Sequence, residues 1–176
     1  MDRLFLDANI LFSAAYRPDA GLLDLWKLKN VTLCSSHYAL EEARINLSAD
    51  VQKERLTRLA AVLEFSDAAL QELPPEISLP EKDAPIMLAA LEARATHLLT
   101  GDLRHFGPYF GKKIRGVLIV SPGDYLKKSF PKAKKQITQP RLFGALASLL
   151  LVPGSQPQAS WEQLRESLRR KEGYFS

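Results

Sequence analysis

Short apolar runs alternate along the chain with stretches whose apolar residues recur every three or four positions. Arg3 to Leu6 sets Leu, Phe and Leu in succession before Asp7, the pattern of a strand buried on both faces. Val31 to Cys34, His97 to Thr100 and Gly116 to Val120 read as further strands, the last two closed by Gly101-Asp102 and Ser121-Pro122-Gly123. Helical spacing predicts a helix over Ala20 to Asn30, with Leu22, Leu23, Leu25, Trp26 and Leu28 on its apolar side. Ser36 caps a second helix from about His37 to Leu47, and a third spans Val51 to Leu63 through Leu56, Leu59, Ala60 and Leu63. Leu73 to Pro80, with three prolines, is loop or extended chain. Asp83 then opens a helix that tolerates Pro85 in its first turn and buries Ile86, Met87, Ala90, Leu91 and Ala95.

Strands separated by helices predict an α/β domain: a parallel-stranded central sheet, right-handed crossovers, and helices on both faces in a Rossmann-like three-layer arrangement. The domain is expected over residues 1–130, followed by a basic linker and helical C-terminal extension over 131–176. Within that extension Lys132 to Pro140 is basic and polar, Leu142 to Val152 is expected as an apolar helix, and Pro153 to Ala159 as a linker. Ser160 and Gln163 are expected to cap a last helix carrying Trp161, Leu164 and Leu168. Such stripes suit packing surfaces, and a homodimer is expected from them.

Composition narrows the setting. With 46% apolar and 25% charged residues, the 176-residue chain is neither disordered nor a coiled coil as a whole. Its one cysteine, Cys34, allows neither a disulfide framework nor a structural zinc site and suits core filling in a reducing cytoplasm. The first apolar run is too short for a signal peptide, and Leu142 to Val152 is shorter than the roughly 20 residues of a membrane span. Charge divides the chain: residues 1–111 carry a net −5, residues 112–135 a net +7 and residues 136–176 a net +2. An acidic body beside a basic segment suits a protein that gathers metal cations in one place and a polyanion in another, although lysine-rich ends also serve solubility alone.

The chemistry concentrates where the strands end. In an open parallel sheet the functional crevice lies outside the carboxyl ends of the strands. Asp7 and Asp102 follow strands there, and Asp83 opens a helix. A helix over 83–94 runs about 18 Å at 1.5 Å per residue and a strand over 97–101 returns about 17 Å, so Asp83 and Asp102 share one edge. Glu42 lies in mid-helix and leans back toward that edge, because helical side chains tilt toward the amino terminus. Glu41 projects about 100° away, and an error of one turn would exchange the two. Crowded carboxylates repel unless protonated or neutralised by a cation, and oxygen-only ligands favour Mg2+ or Mn2+. Taken singly, each acid has a plainer role: Asp83 as a cap, Asp7 or Asp102 in a turn, Glu42 as a solvated charge. No serine or cysteine triad and no GxxxxGK phosphate loop is present. An aspartyl phosphatase would place a second acid where this chain has Asn9.

Leu6-Asp7-Ala8-Asn9-Ile10-Leu11, Leu40-Glu41-Glu42, Lys82-Asp83-Ala84-Pro85-Ile86 and Leu99-Thr100-Gly101-Asp102-Leu103-Arg104-His105-Phe106 together resemble the four acidic motifs of the PIN domain. Ser121-Pro122-Gly123-Asp124-Tyr125-Leu126 is similar to that domain's usual end. The resemblance covers about residues 3 to 126 and implies a Mg/Mn-dependent endoribonuclease, a hydrolase of phosphodiester bonds in single-stranded or looped RNA, commonly the VapC-like toxin of a toxin-antitoxin pair. Asp7, Glu42, Asp83 and Asp102 would then hold one or two Mg2+ or Mn2+ ions, with Asn9 and Thr100 hydrogen-bonding carboxylates or bound water. Arg104, His105, Lys112 and Lys113 would contact backbone phosphates, His105 having the alternative of satisfying a nearby carbonyl, while His97 is structural. By the same resemblance an antitoxin protein covers the cleft. The rival readings are a catalytically silent PIN-like module that binds RNA or protein, and a structure-specific DNA nuclease.

Overall fold

Leu4, Phe5 and Leu6 are wholly shielded from solvent, and the strand that carries them, β1 (Asp2–Leu6), lies inside a six-stranded sheet. The computed structural model describes residues 1–69 and 72–129. In chain order β1 is followed by α1 (Ala8–Tyr16), a 3₁₀ turn (Gly21–Lys27), β2 (Val31–Ser35), α2 (His37–Asn46), α3 (Asp50–Ala60) and β3 (Glu64–Phe65). After a loop come α4 (Ala84–Glu92), β4 (His97–Leu99), a second 3₁₀ turn (Gly107–Tyr109), β5 (Lys113–Ile114), β6 (Val117–Val120) and α5 (Pro122–Ser129). The sheet order is β3-β2-β1-β4-β6-β5. β2 and β4 therefore flank β1 on either side, and the strand order reverses there, which opens a crevice at the carboxyl ends of these strands.

All pairings are parallel, as expected of the central sheet, except that the edge strand β5 runs antiparallel to β6. β5 has only two residues and joins β6 through Arg115 and Gly116, both at positive φ, the backbone of a tight hairpin. Neither β5 nor the two-residue β3 is long enough to leave a period in the sequence.

One helical expectation is corrected. The segment expected as a helix over Ala20 to Asn30 is a seven-residue 3₁₀ turn in which only Leu25 is buried. Leu22, Leu25 and Leu28 are three apart, the repeat of a 3₁₀ helix rather than of an α-helix. Asn30 at φ 60° then reverses the chain into β2. Unanticipated helix α1 begins straight after Asp7 and buries Ala8, Ile10, Leu11, Ala14 and Ala15. It packs against α2 and α3. Ser121-Pro122-Gly123, read as a strand stop, also opens helix α5.

The remaining strands and helices start and stop close to where the pattern put them. Leu73 to Pro80 carries no helix or strand, though Ile77 is buried. Cys34 fills core, its thiol directed at the Leu4 carbonyl at 3.4 Å. No helix among the described residues is long and apolar enough to cross a membrane. The helices expected over Leu142 to Val152 and after Ser160 lie outside the described residues, as does the extension that motivates the homodimer.

Candidate active site

β1 ends at Leu6, and Asp7 becomes the N-cap of α1, so one residue both leaves the sheet and starts a helix. Its Oδ1 accepts from the Ala8 N–H at 2.6 Å. Its Oδ2 accepts from Asn9 Nδ2 at 2.7 Å and Thr100 Oγ1 at 2.6 Å. Thr100, the residue after β4, is fully buried, and its Oγ1 also accepts from the Asp102 N–H at 3.0 Å and from Asn9 Nδ2 at 3.2 Å. Asn9 Oδ1 in turn accepts from the Gly101 N–H at 2.9 Å. Asn9 and Thr100 thus lash the ends of β1 and β4 together and fix both aspartates.

Asp102 closes a tight turn. Its Oδ1 accepts from the N–H groups of Arg104 and His105 at 2.9 and 3.1 Å, and the turn returns the His105 ring so that Nδ1 lies 2.7 Å from Asp102 Oδ2. The same Nδ1 is 3.0 Å from Asp83 Oδ2. Asp83 stands at the N-cap of α4 yet makes no capping hydrogen bond with its side chain, so the plain reading of it as a cap is not what the structure shows. Its Oδ2 is buried and accepts no hydrogen bond, the short approach to His105 being misaligned for one.

Electrostatics tie Glu42 to the same place. Burial pushes its carboxyl up to about 8, and the charges of Asp7, Asp83 and Asp102 add to the rise against a lowering from Lys82. Glu41, its neighbour, instead grips Arg44 on the helix surface through contacts of 2.6 and 2.7 Å. Asp7 is 5% exposed and pushed up to about 6 by burial. The Thr100 and Ala8 hydrogen bonds work against that rise, and Asp83 and Asp102 reinforce it. Asp83 is raised chiefly by burial, with Lys82 and His105 pulling it down and Asp102 pushing it up. The four acids therefore share one field. Among the described residues no arginine or lysine forms an ion pair with any of them. Such a group holds protons unless a cation enters. The Asp83 Oδ2 fits that requirement, since a buried carboxylate oxygen that accepts no hydrogen bond is costly.

Sequence reasoning did not place His105 in this cluster. One ligand atom each from Asp83, Asp102 and His105 lie within 4.8 Å of one another, and the imidazole faces the two carboxylates rather than a backbone carbonyl. The available signal was the three-residue interval from Asp102 to His105, which a turn capped by the aspartate folds back on itself. Arg104 is exposed beside Asp102. Lys112 Nζ stands 5.6 Å from the centroid of the Tyr109 ring. Lys113 is not brought to the acidic edge: it lies on edge strand β5 opposite Leu118, and its charge acts on His97 at the amino end of β4.

The family model for the PIN domain matches residues 3–104. A search of curated proteins gives no significant match. Among solved structures, VapBC2 from Rickettsia felis bound to a DNA fragment from its promoter is 19% identical over 68% of this chain and 98% of that one, with a TM-score of 0.48. FitAcB from Neisseria gonorrhoeae is 16% identical over the same shares, with a TM-score of 0.42.

Proposed function

The chain belongs to the PIN-domain family, and from that premise we propose that it is a Mg2+- or Mn2+-dependent endoribonuclease that hydrolyses phosphodiester bonds in single-stranded or looped RNA. One observation supports this reading: the carboxylates of Asp7, Glu42, Asp83 and Asp102 act on one another's charge, among the described residues no arginine or lysine forms an ion pair with them, and the buried Asp83 Oδ2 accepts no hydrogen bond. Asp7, Glu42, Asp83 and Asp102 would hold one or two ions, which when bound supply a water of lowered pKa and offset charge on the leaving oxygen. Thr100 and Asn9 aim Asp7 by donating to its Oδ2. Thr100 also keeps Asp102 in register through the Asp102 N–H. The exposed Arg104 and Lys112 hold backbone phosphates of the strand, while Lys113 is left out because its charge lies toward His97. The expected products carry a 5′-phosphate and a 3′-hydroxyl.

Labelled RNAs incubated with purified full-length protein and Mn2+ test this. Cleavage is expected with wild type and a loss of at least about a hundredfold with Asp7→Asn or Asp102→Asn, since each substitution removes a charged ligand. Equal cleavage by all three proteins, or none by wild type across a panel of RNAs, would overturn the proposal. Cleavage only of flap or single-stranded DNA would reassign the substrate.

The proposal includes a cytoplasmic setting and an antitoxin-like protein that covers the crevice with a cationic side chain, for which the acids leave room because among the described residues none is ion-paired with arginine or lysine. Expression of the chain alone should arrest growth, and harmless expression would remove this element. It also includes the homodimer, which a monomeric mass by light scattering would contradict.

A further inference from the structure

His105 brings a ring nitrogen up against the oxygens of two aspartates. Its Nδ1 is 2.7 Å from Asp102 Oδ2 and 3.0 Å from Asp83 Oδ2. Adjacent ligands around an octahedral ion with bonds of about 2.1 Å are separated by about 3 Å, so both intervals fit neighbouring corners of one coordination shell. The imidazole is held there from two sides. Its backbone N–H donates to Asp102 Oδ1, and the next residue, Phe106, is 1% exposed and anchors the turn in the core. The side chain of His105 is itself only 17% exposed.

Resting on the metal-dependent reading above, we propose that His105 is a nitrogen ligand of the divalent ion, binding through Nδ1 beside Asp83 and Asp102, and that this mixed donor set selects Mn2+ over Mg2+. Nδ1 and Asp102 Oδ2 stand at hydrogen-bond distance. To ligate, the ring takes the tautomer protonated at Nε2, which leaves the Nδ1 lone pair free to bind the ion. The buried Asp83 oxygen that accepts no hydrogen bond then gains a partner. An imidazole nitrogen is a softer donor than carboxylate oxygen and adds more to the affinity for a transition metal than for Mg2+. His105 is thereby distinguished from a phosphate contact, which would face outward and leave ion selectivity unchanged.

Pulsed electron paramagnetic resonance of Mn2+ bound to the full-length protein reads the ligand directly. A ¹⁴N coupling of a directly bound imidazole is expected in wild type and absent in His105→Gln. By calorimetry the same variant is expected to bind Mn2+ about tenfold more weakly, with a smaller change for Mg2+. Mn2+ that binds saturably with no ¹⁴N coupling would overturn the proposal and leave the nuclease reading intact. A coupling that persists in His105→Gln would also overturn it, since the nitrogen would then belong to another residue. If no Mn2+ binds at all, this proposal and the reading beneath it fail together.

Discussion

Two adjacent glutamates part company on α2. Glu41 is engaged by Arg44 three residues on, a surface pair worth a few tenths of a kcal/mol, whereas Glu42 is buried in the field of Asp7, Asp83 and Asp102. Helical geometry separated them only in part, and the Glu41-to-Arg44 interval was the readable cue that settles their directions. His105 was harder to read, because its direction depends on a turn that exists only once Asp102 has capped it. The crowding has a measurable consequence. Glu42 ionises near 4.5 in an unfolded chain and at about 8 in the folded one, so the folded state holds the proton more tightly. Its contribution to stability is then full below pH 4.5 and is lost as pH rises toward about 8. Glu42→Gln cannot ionise, and in metal-free protein above pH 8 it should be more stable than wild type by about 1–2 kcal/mol after solvent screening, a rise in Tm of roughly 2–8 °C. Thermal melts with chelator at pH 8.5 and pH 4 check this: the difference should shrink at the lower pH, and a destabilised variant at pH 8.5 would contradict it.

Elements were legible where their period was long enough to register. α2, α3 and α4 each run nine to eleven residues and were anticipated, while β3 and β5, with two residues apiece, were not. α1 escaped because Ala8, Ile10, Leu11, Ala14 and Ala15 follow so closely on the apolar β1 that strand and helix merge into one hydrophobic stretch. Asp7 was the signal that divides them, since aspartate is a favoured residue at a helix N-cap. At the other end of the sheet β4 begins with His97, whose ring meets Tyr125 of α5 edge-on at 5.0 Å. Burial lowers the His97 pKa below 6.5, Asp2 opposes that, and Lys128 and Lys113 add to it. The folded state therefore disfavours the charged ring, and its contribution is full above pH 6.5 and lost as pH falls through the lowered value. His97→Phe keeps an aromatic ring against Tyr125 and should lose less stability than wild type between pH 7.5 and 5. Parallel Tm-against-pH curves for the two proteins would contradict this.

Across the whole molecule, topology does what the chain order alone cannot. Asp7, Asp83 and Asp102 are separated by up to 95 positions, and they meet because β1 and β4 are neighbours that run in parallel and end at the same edge. That convergence was readable from the rule for open sheets, without any knowledge of contacts. The destination of the basic segment was not readable: its charge is a sum over residues 112–135, and two of its members, Lys113 and Lys128, act on His97 at the amino edge, away from the acids. A sum of charges carries no direction until β5 and α5 are placed. Calorimetric titration of Mn2+ into metal-free, full-length protein tests most directly whether these acids bind a cation. Saturable binding is expected in wild type and at least about tenfold weaker binding in Asp83→Asn and Asp102→Asn. Absence of binding in wild type, or equal affinity in all three proteins, would contradict it.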